Sequence, residues 1–493
     1  MSEKVKPKAF LMQGCATLII CFLTSLTGFV FAWPSYTFQI YLSNETYLEA
    51  PISTSQMSML GSIINVGALL GTPLTVYMAD KLGRKYSAML VGLPYVITWA
   101  LISVTRSYYV VLFSLGLSGL SAAGQSISSI YISEICQDSI RGSLTSSVNY
   151  GYLIGLLISY TMGGYMSYYS ILYAHLALSI LYIIMLIPLK ESPCYLLKIG
   201  KEKEARDSIA FYRRVDVDSK EVEGEIKSLR VQLDLNSDII IEDSTTNHVP
   251  ETVNEHQETF IKFEPRPVKK KISSWQFLRK SESSKRALLT VIITMSVMVL
   301  MGSLVLQMFA DSIFKEAIPS MRPNTCAILL VVDYLMASLV GASTLDKLGR
   351  KNLMTITSFI AGIFTILIGT QLHMHWAPYW FTAVIIYLHS FIFNLGVAQV
   401  PLVLAAEVFL PEVRALGNSI ALAFLWITNW IVVSTFFPLV EFIGLGQTFY
   451  IFSVICFIGS VYSHLCLPET KGLSADAIQL LFIKKERNSN LKV

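Results

Sequence analysis

Charge is scarce in this chain. Of its 493 residues only 15% are Asp, Glu, Lys or Arg, and 53% are hydrophobic. A soluble globular protein needs about a quarter charged residues to cover its surface. The deficit is concentrated in apolar runs such as "LMQGCATLIICFLTSLTGFVFAW" from Leu11 and "ALLTVIITMSVMVLMGSLVLQMFA" from Ala287. Each exceeds the roughly 20 residues that a bilayer-spanning helix requires. A soluble helical core is thereby excluded, and about twelve spans are expected, six before the polar stretch near Glu191 and six after it. The first run is too long for a signal h-region and no clean small-residue site follows it, so no cleaved leader is expected.

Other absences narrow the function. The seven cysteines (Cys15, Cys21, Cys136, Cys194, Cys326, Cys456 and Cys466) keep no metal-ligand or redox spacing and read as small packing residues. No phosphate-binding glycine loop and no nucleophile–base pairing occurs, so neither a cofactor nor an enzyme is expected. A net charge of +4 gives no reason to expect nucleic acid.

What charge there is has a side. Lys4, Lys6 and Lys8, the central polar stretch and "KKER" near the end fall on one face of the predicted topology, and only Arg106, Lys315 and Arg322 on the other. The positive-inside rule makes both termini cytoplasmic. The single N-x-[ST] acceptor, Asn44-Glu45-Thr46, falls in the first loop of the opposite side, where glycosylation is possible.

The charged junctions are duplicated. "DKLGRK" occurs at 80–85 and again at 346–351. "SEICQDSIRG", with Glu134 and Arg141, is matched by "AEVFLPEVRALG", with Glu407 and Arg414 at the same seven-residue offset, and "KESPCYL" is echoed by "PETKGLS". Duplicated junctions in the same order predict two six-span bundles of parallel topology, as in transporters whose halves rock about a central site. The expected boundaries are an N-terminus at 1–9, a first bundle at 10–190, a central loop at 191–285, a second bundle at 286–467 and a tail at 468–493.

The central loop is too long for an ordinary connection. Its first part, "KEKEARDSIAFYRRVDVDSKEVEGEIKSLRVQL", has the Glu/Lys spacing of short helices. Its middle, "NSDIIIEDSTTNHVPETVNEHQETF", reads as mobile. "KKKISSWQFLRK" suits either a helix lying at the membrane surface or a solvated linker.

In each hexapeptide Gly83 or Gly349 permits a tight reversal between antiparallel spans. Asp80 and Asp346, at the C-terminal ends of their helices, are disfavoured by the helix dipole and need compensating cations or a neighbouring helix N-terminus. Several such pairs closing one face would bias a two-state equilibrium without locking it. Topology anchoring is the competing explanation for any single charge.

Taken together, both hexapeptides, Glu134…Arg141-Gly142, Glu191-Ser192-Pro193 and Pro468-Glu469-Thr470-Lys471-Gly472 resemble the sugar porters of the major facilitator superfamily over nearly the whole chain, closest in character to the arthropod trehalose-facilitator-like branch. The resemblance implies an all-α membrane protein of that fold, with twelve helices in two halves. It further implies that Arg84, Arg350, Glu134, Arg141, Glu407, Arg414, Glu191 and Glu469 form a cytoplasmic charge network that holds the outward-facing state and breaks when the carrier turns inward.

The departures concern substrate. "KESPC" lacks the family's terminal Arg. The seventh-span amides fall on Met298, Val299 and Leu304, and the tenth-span motif becomes Ala398-Gln399-Val400-Pro401-Leu402 without its Trp. Asn149 and Trp426 retain site positions. The amide of Asn149 serves a hydroxyl and the indole of Trp426 suits a pyranose face; helix packing or a lipid interface also accounts for Trp426. The first span has no acid, unlike the proton-coupled members. Asp333, inside the eighth span, either contacts substrate or a coupling proton, or lies neutral in the cavity wall. His175, His389 and His464 read as packing or cavity residues. The expected function is a facilitative plasma-membrane carrier of trehalose or a monosaccharide, with the bilayer and the sugar as partners and a monomer sufficient. The alternatives are a transport-poor sugar receptor of the same fold and a proton-coupled carrier using Asp333.

Overall fold

The fold is a bundle of long helices in this computed structural model, which describes residues 5–242, 274–473 and 475–484. Six helices make the N-terminal half: α1 (Pro7–Leu42), α2 (Thr54–Leu82), α3 (Arg84–Val104), α4 (Tyr108–Ile135, with a turn at 123–124), α5 (Asp138–Tyr165) and α6 (Tyr168–Leu186). Six more make the C-terminal half: α7 (Glu282–Leu300), α8 (Pro323–Leu348), α9 (Arg350–Met374), α10 (Tyr379–Val408, interrupted by a π-turn at Phe393–Val397), α11 (Pro411–Ile443) and α12 (Leu445–Cys466). Past Gly302, whose φ of 87° breaks the helix, α7 continues as Ser303–Met308 and Ala310–Ala317.

Eleven of these helices are long and apolar enough to cross a membrane; α5 is not among them. The reason is on its surface. Ser139, Gly142, Ser143, Ser146 and Asn149 are all exposed at three- and four-residue spacing, so one stripe of α5 is small and polar.

Packing in the second half repeats that of the first. α1 lies on α5 as α7 lies on α11, α2 on α4 as α8 on α10, and α3 on α6 as α9 on α12. Bilayer helices gain no hydrophobic drive from one another, so small residues must let backbones touch. Gly67 and Gly71 on α2 face α4, and Gly151 and Gly155 on α5 face α1, each pair at G-x-x-x-G spacing. The halves meet mainly where α2 crosses α11 and where α5 crosses α8.

At the end where α1 begins and α12 finishes (the near end), Pro193–Lys198, Glu202–Arg213 and Lys220–Glu242 form a small helical cluster around Leu196, Ala205, Ile209 and Ile226. It docks on the N-terminal half: the Tyr212 hydroxyl donates to the Lys190 carbonyl at 2.6 Å, and the Gln13 amide donates to the Tyr212 carbonyl. Burial pushes the Tyr212 hydroxyl well above its usual range, so it stays a donor. The expected short helices are therefore present. The last of them runs to Glu242, past the start of the stretch read as mobile, and the rest of that stretch lies outside the described residues.

Candidate functional site

Two matched clamps hold the near end. Gly83 and Gly349 adopt φ of 93° and 81°, a region open to glycine, and each turns the chain straight into a new helix. A side chain there would collide with a carboxylate: a Cβ on Gly83 would sit 2.8 Å from the Glu191 Cδ, and one on Gly349 2.6 Å from the Glu469 Cδ. Those carboxylates occupy the freed helix N-termini. Glu191 accepts from the backbone N–H of Arg84 (2.8 Å) and of Lys85 (3.0 Å). Glu469 accepts from Arg350 (2.9 Å) and Lys351 (3.2 Å). Negative charge at a helix N-terminus satisfies orphan donors and the dipole together.

The arginines complete each clamp. The Arg84 guanidinium pairs with Glu134 at 2.8 Å, and the Arg350 guanidinium with Glu407 at 2.7 Å. A hydroxyl then donates to each acid, Ser192 to Glu134 and Thr470 to Glu407. Each clamp thus ties a helix–helix turn, the end of α4 or α10, and the strand of chain leaving α6 or α12. The sequence reading names Ser192 and Thr470 within its motifs but gives them no part in the gate, although the Glu-[Ser/Thr] dipeptide is repeated in both halves.

Three predicted gate residues make their contacts outside the clamps. Arg141 pairs with Asp138 on its own exposed turn, Arg414 donates to the Phe409 carbonyl at 3.4 Å, and Asp80 makes an exposed pair with Lys198 at 3.3 Å. Exposed pairs of this kind are worth about 0–1 kcal/mol. The side chain of Asp346 lies outside the described residues.

The seam between the halves is built differently. Asn149 donates to the Ser338 hydroxyl on α8 at 3.2 Å, and the Trp426 indole donates to the Thr72 hydroxyl on α2 at 3.2 Å. Two of the three predicted substrate residues, Asn149 and Trp426, therefore sit where one half touches the other. Gln307, in the short helix after α7, donates its side-chain amide to the Tyr152 hydroxyl at 2.5 Å, and its backbone carbonyl accepts from the Tyr160 hydroxyl. The sequence reading looked for seventh-span amides at Met298, Val299 and Leu304 and passed over Gln307, a lone amide in the apolar run "LVLQMFA". Asp333 is half-buried on α8, and its Oδ2 has no hydrogen-bond partner among the described residues. His175 is fully buried, stacked 4.8 Å from Phe29, and belongs to the packing.

The far end is closed. Phe309 stacks on Phe436 at 5.7 Å and meets Phe437 at 4.6 Å and Phe38 at 6.3 Å. Gln39 donates to Ser312 at 2.7 Å, and Thr54 donates to Glu441. Toward the near end the pattern stops. Among the described residues no hydrogen bond crosses the seam nearer to it than Asn149–Ser338 and Trp426–Thr72. Ten helical residues remain beyond Thr72 and beyond Ser338, about 15 Å at 1.5 Å per residue. Along that depth the polar stripe of α5 is exposed.

Comparison with known proteins agrees with this geometry. The family model for "Sugar (and other) transporter" matches residues 9–482. A facilitated trehalose transporter Tret1-2 homolog of Drosophila simulans is 25% identical over 97% of this chain and 92% of its own length. Facilitated trehalose transporter Tret1 of Polypedilum vanderplanki is 25% identical over 95% and 87%. Among solved structures, the inward-open conformation of the E. coli xylose transporter XylE superposes with a TM-score of 0.73 at 17% identity, covering 94% of this chain and 99% of that one. A D-xylose-proton symporter gives 0.68 at 18%, covering 93% and 99%. These structures share the major facilitator fold with this chain. They and the matched relatives are transporters, not enzymes. With its all-helical architecture and a family match across nearly its full length, this chain belongs to the sugar (and other) transporter family.

Proposed function

We propose that the protein is a facilitative sugar carrier of the plasma membrane, taking trehalose or a monosaccharide, with twelve spans in two halves and both termini cytoplasmic. The observation that carries this reading is the one-sided seam: aromatic and polar contacts close the far end while the near end has only clamps internal to each half. Such an arrangement is the cytoplasm-facing member of an alternating-access pair. Sugar would meet Asn149, Gln307, Tyr152 and Trp426, whose seam bonds break as the halves rock. The clamps would keep each half rigid during that motion, and the half-buried Arg141 and the exposed Arg414 would be available to pair across the seam when the near end closes.

Uptake of radiolabelled trehalose and glucose in oocytes tests the reading. Surface-expressed protein that binds sugar but moves none would leave the receptor reading in its place. The unpartnered Asp333 oxygen favours a second reading, proton coupling. Facilitated diffusion predicts uptake that changes less than about twofold with a protonophore or in Asp333→Asn, whereas a coupling carboxylate predicts loss of roughly tenfold or more. Orientation has its own test. Asn44 is exposed in the turn after α1 at the far end, so deglycosylation should shift the wild-type protein on a gel and leave Asn44→Gln unmoved. A glycan found at a sequon introduced in the 202–213 helix would invert the topology.

A further inference from the structure

A groove of about 300 Å³ opens where the chain enters the C-terminal half, between helix Ser274–Lys280 and the first turns of α7. Trp275, Leu278, Leu288, Leu289 and Ile292 form its lining, which is almost wholly apolar, and Arg279 and Lys285 border it. The helix is fixed in place, because Leu278 is buried and the helix packs on α11. Trp275 and Leu289 nevertheless remain 54% and 58% exposed. Large apolar side chains beside cations, at the junction of a polar segment and a membrane-spanning run, match the level where headgroups meet acyl chains.

The charge is unbalanced. Over 274–285 Arg279, Lys280 and Lys285 face a single acid, Glu282. Glu282 is engaged by Lys285 at 3.1 Å and lies 4.0 Å from Arg286. No ion pair to Arg279 or Lys280 occurs among the described residues. We propose that this groove binds one anionic phospholipid of the near-end leaflet, its acyl chain along Leu289 and Ile292 against the Trp275 ring, its phosphate and carboxylate on Arg279 at the groove and on exposed Lys280, the next residue of the same helix. A zwitterionic lipid would fill the apolar part but leave the cations uncompensated. The proposal rests on the cytoplasmic placement of the near end, the leaflet in which anionic lipids are found.

The full-length protein in nanodiscs tests it, using phosphatidylserine or phosphatidylcholine with brominated acyl chains, which quench tryptophan on contact. The Trp275 signal is the quenching lost in Trp275→Phe. Each uncompensated cation near the surface favours an anionic lipid by about fivefold. For two such cations, phosphatidylserine should quench Trp275 at a concentration about tenfold or more below that of phosphatidylcholine. The preference should vanish in Arg279→Gln/Lys280→Gln, and in the wild type at high salt, which needs no mutation. Equal quenching by the two lipids in the wild type, or a preference that survives in the double variant, overturns the site. Nanodiscs have no sidedness, so that failure would leave the proposed orientation and transport untouched.

Discussion

Gly67→Val should leave almost no carrier at the cell surface. A Cβ on Gly67 would stand 2.9 Å from the Gly119 Cα and one on Gly119 2.8 Å from the Gly67 Cα, so α2 and α4 touch backbone to backbone. One turn on, a Cβ at Gly71 would meet the Leu120 carbonyl oxygen at 2.6 Å. Neither neighbour is the end of a flexible side chain, so the clash can be relieved only by moving a helix. Overpacking a soluble core costs about 1–3 kcal/mol even when side chains give way. Here the helices must part, and in lipid no hydrophobic force draws them together again. Gly155→Val should act alike on the α1–α5 contact, where a Cβ would lie 2.6 Å from the Ser25 Cα. Gly14→Ala, with no atom within 4 Å, is the control and should reach the surface normally. Wild-type surface labelling of Gly67→Val would show that the two backbones are not in contact.

Breaking either clamp should slow transport in protein that still reaches the surface. Arg84 and Arg350 are buried and their acids half-buried, and removing one partner of a buried pair leaves an uncompensated charge, at a cost of about 3 kcal/mol or more. Some of that loss is softened by the Ser192 and Thr470 hydroxyls, which still serve the stranded carboxylates. Arg84→Ala should therefore lower the thermal midpoint of the detergent-solubilised carrier and cut initial uptake several-fold, with Arg350→Ala close behind because it makes the matching pair with Glu407. Arg84→Ala/Glu134→Ala should regain stability relative to Arg84→Ala, the sign of a direct coupling. Unchanged uptake kinetics in both single arginine variants would reduce the clamps to membrane-end anchors.

The repeated junctions show how far local sequence reaches. Gly83 and Gly349, Glu134 and Glu407, Arg84 and Arg350 were all visible in duplicated words, and the geometry joins Arg84 to Glu134 and Arg350 to Glu407. The same reading enrolled Arg141 and Arg414 on equal terms, yet their bonds lie outside the clamps. An acid on α4 or α10 has two candidate arginines in sequence, and only the tilt of the neighbouring helices selects one. The polar stripe of α5 was likewise present in its letters, but which element it faces is a property of the packed halves.

The sequence by itself determined that this is a membrane protein of duplicated design, because run length, charge asymmetry and glycine turns act within a few residues of the chain. Only the tertiary structure decided that the far end is shut, that Gln307 joins Tyr152 while Asn149 and Trp426 bridge the halves, and that Asp333 keeps an unpartnered oxygen. Those facts depend on the register of helices brought together from distant parts of the chain, and an apolar span read alone carries no record of that register.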